Sequence, residues 1–255
     1  MHTKEQLISD MRALGINPGD TVLMHSSFRS LGGIEGGAAS FYEGFLELLG
    51  EDGTLVIPTL SYGTVTRDAP VFDRNETPSC VGYLSEYFRT SVPGVIRSMH
   101  ATHSCAAVGR LAEEITKNHE LDLTPVGPNS PFSKLPKFNG KILMLGCSFD
   151  SNTSFHGIEE TAEPPYLFDR SAPIHYTLKD GERVIEQEAL RHHFVLGGVH
   201  PRQQYSRVIP LLSEDEVSFG KVLDASCALM DAKAVWEKGQ AKLLEDPFYF
   251  VEIPI

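Results

Sequence analysis

Three near-continuous apolar strands, each ending in polar residues and each followed by a run of helical periodicity, predict an α/β fold. The strands are TVLMHSS from Thr21, GTLVIPTL from Gly53 to Leu60, and KILMLG from Lys141 to Gly146. Unbroken apolar runs of this kind suit strands covered on both faces, so the central sheet is expected to be mostly parallel and flanked by helices. From Ile174 the pattern shortens to HYTLKD and GERVIEQEAL around a turn at Asp180-Gly181, which predicts an antiparallel C-terminal extension. No Ser/Gly/Pro-rich linker, charge block or repeat interrupts the 255 residues, so one domain over 1–255 is expected.

The elements follow in order. Leu7, Ile8, Met11 and Leu14 share a face of a helix over Lys4–Leu14, and Pro18-Gly19-Asp20 turns the chain into the first strand. A helix opens after Gly36-Gly37 and closes at Gly50. Beyond the second strand, Ser79 is placed to cap a helix running to Arg89, and CAAVG (105–109) reads as a short strand with a helix to about His119. A helix from about Thr153 to Ala162 follows the third strand and stops at Glu163-Pro164-Pro165, because proline cannot extend a helix. A last helix is expected over about Ala225 to Leu244, with Phe248, Tyr249 and Phe250 packing the tail.

Composition narrows the function. A formal net charge of -12 disfavours nucleic acid, whose phosphates it repels, and suits a cationic small molecule. Cys80, Cys105, Cys147 and Cys227 lack any CxxC spacing, which points to reduced thiols; Cys105 and Cys147 read as small core fillers. The N-terminal stretch is amphipathic and no window of 18 apolar residues occurs. A cytoplasmic protein without a membrane span, monomeric or a homodimer, is expected.

Working groups in such sheets lie beyond the carboxyl ends of the strands. There stands Thr153-Ser154-Phe155-His156-Gly157-Ile158-Glu159-Glu160, in which His156, Glu159 and Glu160 share one helical face. A carboxylate beside an imidazole fixes its tautomer and tunes it as a general base, although a solvated His/Glu pair has the same spacing. His100 and His103 have HxxH spacing but no committed third ligand. Gly36-Gly37 offers N–H groups to an anion or simply starts a helix. Gly146-Cys147-Ser148 resembles a nucleophile elbow, with Asp150 where the closing glycine belongs.

Together the segments MHSSFRSLG with Gly36-Gly37, GTLVIPTLS, FDRNETPS with Gly82, RSMHATHSCAAVG, GPNSPFSKL, GKILMLG, NTSFHGIEETA and EVSFG resemble, in order and spacing, the aminoglycoside 3-N-acetyltransferase family over roughly residues 18 to 220. The resemblance implies acetyl-CoA as donor, a primary amine as acceptor, usually on an aminoglycoside, no metal, and an α/β fold distinct from the GNAT acetyltransferases. It places the catalytic pair on His156 and Glu159. It assigns the coenzyme to His25, Ser26 and Ser27, to the loop of Arg97, Ser98, His100, His103 and Ser104, and to Gly127 and Ser130 of GPNSP. Tyr62, Asp68 and Glu160 are expected at the acceptor. The sequence departs from the family at Ala101, where a proline is usual, and in the short stretch YGTVTRDAPV, whose only acid is Asp68. Two other readings remain open at this point. One is a metal-dependent hydrolase built on His100, His103 and His156; the other is a binding protein that holds CoA or an amine without turnover.

Overall fold

A computed structural model describes residues 1–254, so Ile255, the end of the expected domain, lies outside the described residues. The chain opens with α1 (Lys4–Leu14), where the Thr3 hydroxyl accepts the Gln6 N–H and the Gln6 side chain accepts the Thr3 N–H. There follow β1 (Thr21–Ser26), α2 (Gly37–Leu49), β2 (Thr54–Pro58), β3 (Val71–Asp73) and α3 (Tyr83–Ser91). Next come β4 (Ile96–Arg97), β5 (Cys105–Gly109), α4 (Ala112–Thr116), α5 (Pro131–Lys134), β6 (Lys141–Leu145) and α6 (Ser154–Ala162). The remainder is β7 (Ile174–Asp180), β8 (Arg183–Ala189), β9 (Arg202–Gln203), β10 (Val217–Val222), β11 (Ala225–Asp231), α7 (Ala232–Glu245) and β12 (Val251–Glu252).

The central sheet has seven strands in the order β10-β11-β6-β1-β2-β5-β4. Its heart, β6-β1-β2, is parallel, as the three apolar runs required. Antiparallel strands flank it on both sides: β11 and β10 from the C-terminal part, and β5 and β4 on the other edge. The second flank was expected to continue the parallel run. Instead α3 carries the chain across to β4, which runs parallel to β2, and β5 turns back from β4 and inserts antiparallel between the two. The expected HYTLKD/GERVIEQEAL hairpin is β7-β8, which with β3 forms a separate three-stranded sheet.

Period-two alternation divides the apolar side chains into two cores. Val22, Met24, Leu55 and Ile57 face α1, α2 and α3 through Leu7, Met11, Phe41, Phe45 and Phe88. Leu23, Val56, Ile142 and Met144 face the other way, onto Phe132, Phe155, Ile158, Val235 and Trp236 of α5, α6 and α7. The same alternation puts His25 on the α5 side, stacked on Phe132 at 6.4 Å.

Two boundaries differ from expectation. Ser79 caps nothing; α3 begins at Tyr83 after Gly82, and the Ser79 N–H donates to Glu86 Oε2. Residues 225–231 are strand rather than the first turns of the last helix. Ala, Leu and Met favour a helix, but pairing with both β10 and β6 overrides that preference, and Asp231 then caps α7 by accepting the Ala234 N–H. Gly36 and Gly37 sit at φ 74° and 63°, and the Gly37 N–H is held by the Ile34 carbonyl. That step starts a helix and offers no anion cradle. No described helix is long and apolar enough to cross a membrane.

Helices α6 and α7 approach closely at Gly157, where an added Cβ would lie 2.4 Å from Trp236 Cη2 and 2.7 Å from Val126 Cγ1. Gly157→Ala is therefore expected to destabilise the fold by about 1–3 kcal/mol through overpacking, despite alanine's better helix propensity. Denaturant unfolding checks this; an unchanged or raised midpoint would mean that α6 and α7 can separate freely.

Candidate active site

The carboxyl ends of β1, β2 and β6 open into one cleft of about 470 Å³. His25 and Ser26 close β1, Pro58 and Leu60 lead on from β2, and Cys147 to Thr153 link β6 to α6. The far wall is Arg191, His192 and Phe194, on the segment that returns after β8.

His156 stands in the first turn of α6 at the cleft wall, its side chain 15% exposed, and Glu159 lies one turn deeper, fully buried. An isolated carboxylate at such a site is costly unless its oxygens are hydrogen-bonded. Both are. Tyr166 donates its hydroxyl to Glu159 Oε1 at 2.9 Å, and Tyr205 donates to Oε2 at 2.9 Å. His156 Nδ1 lies 3.3 Å from Oε2 and 3.0 Å from the Tyr205 oxygen. Since the Tyr205 proton points at the carboxylate, its oxygen is left to accept, and both neighbours of Nδ1 are acceptors. This network assigns the ring proton to Nδ1 and leaves the Nε2 lone pair free.

The sequence builds this knot from separate segments. The Glu163-Pro164-Pro165 stop ends α6 with Glu163 at φ 45° and turns Tyr166 back beneath Glu159. Tyr205 opens a 3-10 turn; its N–H is held by Asp150 Oδ1 at 3.0 Å and its ring stacks on Phe155 at 4.5 Å.

Of the expected residues, His25, Ser26, Tyr62, His103 and His156 meet at the cleft. Ser27 lies at the start of the following 3-10 turn, where its carbonyl accepts from Ser30. The Arg97-to-Ser104 loop, apart from His103, does not reach the cleft. Arg97 is buried, donating to Ser104 Oγ and to the carbonyls of Thr59, Thr77 and Arg74. Ser98 bonds His119 Nδ1, Ser104 bonds the Thr59 carbonyl, and His100 Nδ1 accepts two N–H groups of its own loop. These bonds hold the loop's shape and turn its polar groups away from the cleft.

Gly127 and Ser130 also lie away from the cleft: Gly127 sits tight against Asp122, and Ser130 caps α5. Asp68 is exposed on a loop outside it. Glu160 turns the other way, accepting from the Val126 N–H and from His192 Nε2. The acids expected to grip an amine are thus absent from the described lining, in which Asp150 is the one acid and Arg191 the one arginine. Ser148 Oγ donates to Asp150 and has no histidine partner, so the elbow resemblance has no chemistry behind it. Cys105 is buried as expected, whereas Cys147 is a half-buried wall residue of the cleft.

The sequence reading missed Tyr166, Tyr205, Arg191 and His192. The two tyrosines lie 7 and 46 positions from the glutamate they bind, beyond any local periodicity. A signal was available in Arg191-His192-His193, an imidazole pair followed by Phe194 after an amphipathic hairpin.

A family model described as aminoglycoside 3-N-acetyltransferase matches residues 23–244. The aminoglycoside N(3)-acetyltransferase IV of Salmonella sp is 30% identical over 254 residues, covering 98% of this chain and 91% of the relative. The SPbeta prophage-derived aminoglycoside N(3')-acetyltransferase-like protein YokD of Bacillus subtilis (strain 168) is 33% identical over 202 residues, or 71% of this chain and 72% of that one. Among solved structures, a mutant of the aminoglycoside acetyltransferase AAC(3)-IVa in complex with a gentamicin superposes with a TM-score of 0.80. It is 30% identical and the match covers 97% of this chain and 90% of that one.

Burial of so many imidazoles sets the pH response. Desolvation lowers His25 to about 3 and His100 to about 4, and holds His103, His119 and His192 well below the usual histidine range. Between those values and about 6.5 the unfolded chain binds more protons than the native one, so stability falls as pH falls. Asp122 and Glu160, raised by burial to about 6 and about 7, oppose this by protonating first in the native state, but they are two against five. The denaturation midpoint is expected to drop steadily from pH 7 to pH 4, with net proton uptake on unfolding. A midpoint that holds or rises over that range would contradict the buried neutral histidines.

Proposed function

The chain belongs to the aminoglycoside 3-N-acetyltransferase family, and from that premise we propose that it transfers the acetyl group of acetyl-CoA to a primary amine of an aminoglycoside or a related cationic amino compound, with His156 as general base. As a member of an acyltransferase family it has an activated donor to use, so no acyl-enzyme is required. The observation that carries the reading is the free Nε2 of His156, held toward a strand-end cleft by a fully buried Glu159. The whole apparatus is carried by one acetyltransferase domain over residues 1–255, and the four unpaired thiols fit work in the cytoplasm.

An ammonium must lose a proton before it can attack a thioester. His156 Nε2 takes the proton as the nitrogen approaches the carbonyl carbon. Glu159 and Tyr205, already in contact with Nδ1, stabilise the imidazolium without rearranging. The thioester oxygen gathers negative charge as the C–N bond forms. Collapse of the tetrahedral intermediate breaks the C–S bond, the thiolate takes its proton from the His156 imidazolium and leaves as coenzyme A, and the nitrogen's second proton goes to solvent. His25 and Ser26 at the end of β1 lie where the acetyl thioester approaches, and Tyr62 and Asp150 face the amine.

The restricted acid content of the lining limits the acceptor. Exposed ion pairs each contribute about 0.2–1 kcal/mol, so a cleft with one carboxylate grips a polycation weakly. Aminoglycosides are therefore expected to be poor or selective substrates, and turnover is expected to decline as salt rises.

The test is release of free coenzyme A from acetyl-CoA over a panel of aminoglycosides, polyamines and amino sugars. At least one amine is expected to turn over. His156→Ala should lose about 10²-fold or more in kcat while still binding acetyl-CoA. Asp150→Asn, which keeps the oxygen that holds Tyr205, should raise KM for the amine about two- to fivefold with kcat little changed. Silence across the whole panel with CoA still bound would instead favour a binding protein, and loss of CoA binding in the histidine variant would move His156 to the donor site.

A further inference from the structure

Around His156 two further imidazoles converge that acetyl transfer does not need. His103, on the loop before β5, and His192, on the segment after β8, meet it across the cleft wall. Ring centroids are 6.0 Å apart for His103–His156, 5.1 Å for His103–His192 and 4.9 Å for His156–His192. Each ring brings one nitrogen to within 4.8 Å of the others. Three nitrogens so spaced enclose a point within about 2.8 Å of each. Zinc–imidazole bonds run about 2.0–2.1 Å, so ring rotations of less than about 1 Å would close the set on an ion.

The other nitrogen of every ring is already occupied by an oxygen. His103 Nδ1 lies 2.9 Å from Thr102 Oγ1, His156 Nδ1 meets Glu159 and Tyr205, and His192 Nε2 lies 2.7 Å from Glu160 Oε1. Glu160 is in turn fixed by the Val126 N–H at 2.7 Å. Imidazoles held from behind by carboxylate or hydroxyl, each with one lone pair turned to a shared point, are how proteins prepare metal-ligating histidines. His192 Nδ1 has a particular lack: it is buried and has no hydrogen-bond partner among the described residues, a state that usually calls for one. The neighbouring Arg191 guanidinium works against a cation, but it is drawn back onto the carbonyls of Tyr62 and Val65.

We propose that His103, His156 and His192 form a three-imidazole site for a borderline divalent cation, with Zn²⁺ the best fit, and that the bound ion switches the enzyme off. Three nitrogen donors with a fourth position open to a cleft match the coordination zinc prefers. An ion on Nε2 of His156 removes the lone pair that would take the amine's proton. Binding stands on the geometry alone; the inhibitory half rests on the base role proposed for His156.

The experiment begins with protein stripped by a chelator and titrated with Co²⁺ as a visible stand-in, then with Zn²⁺ in competition. The wild-type protein is expected to develop the intense visible bands of four-coordinate Co²⁺, and one equivalent of Zn²⁺ should abolish them. His103→Ala and His192→Ala should lose the bands, and Glu160→Gln, which loosens the hold on His192 without removing a ligand, should weaken Zn²⁺ binding about 10–100-fold. Acetyl transfer should fall over the same Zn²⁺ range and return on adding chelator. The absence of a Co²⁺ spectrum in the wild type, which needs no variant to fold, overturns the site. So does binding that both alanine variants retain. Full turnover with the site filled overturns the inhibitory half and the base role together while leaving the site in place. An apoprotein that binds Co²⁺ but acetylates nothing keeps the site and overturns the proposed function instead.

Discussion

A carboxylate with no exposure to solvent is the constraint around which this structure is organised. Glu159 sits at the junction of α6 and the segments that follow it, and every oxygen it presents must find a donor inside the protein. Tyr166, Tyr205 and His156 supply those donors. Each is delivered by a separate device: a proline-stopped helix end, a 3-10 turn latched by Asp150, and the first turn of α6 itself. Because one partner is an imidazole, the requirement that stabilises the buried charge also orients the ring that faces the cleft.

How much of this was legible in the sequence depends on the range of the interaction. Local periodicity placed α1 over Lys4–Leu14, α2 over Gly37–Leu49 and the three parallel strands, because each of those patterns is complete within a dozen residues. The pairing of His156 with Glu159 is likewise a matter of helical spacing. Tyr205 is recognisable only after the chain has folded, since nothing in residues 202–211 marks a hydroxyl destined for a carboxylate 46 positions earlier. The strand β11 was read as helix for a related reason: its composition favours a helix, and only the vacant edge of β6 makes it extended.

The Arg97-to-Ser104 loop teaches a different lesson about polar residues in a motif. Arginine, serines and histidines crowded into eight positions look like a ligand site, yet all but His103 bond one another or nearby backbone. Their burial is what demanded so many partners. The sheet edge formed by β5 and β4 and the cleft wall near Thr59 are shaped by that internal network, so its polarity serves architecture. Conversely, the acids of α6 that looked available to an amine are fixed: Glu159 by tyrosines, Glu160 by His192 and Val126. The cleft is consequently less acidic than a net charge of -12 implies.

Base catalysis at this cleft depends on which nitrogen of His156 carries the proton, and that is directly measurable. In protein with ¹⁵N-labelled histidine at neutral pH, the two-bond nitrogen–carbon-proton spectrum of the imidazole, assigned with a His156→Gln variant, reports the tautomer. The network around Glu159 predicts a protonated Nδ1 and a bare Nε2 in the wild type, with the preference lost when Glu159→Gln and Tyr205→Phe are combined. A wild-type ring protonated on Nε2, or a tautomer indifferent to those two changes, would contradict the claim that the buried carboxylate prepares this histidine for catalysis.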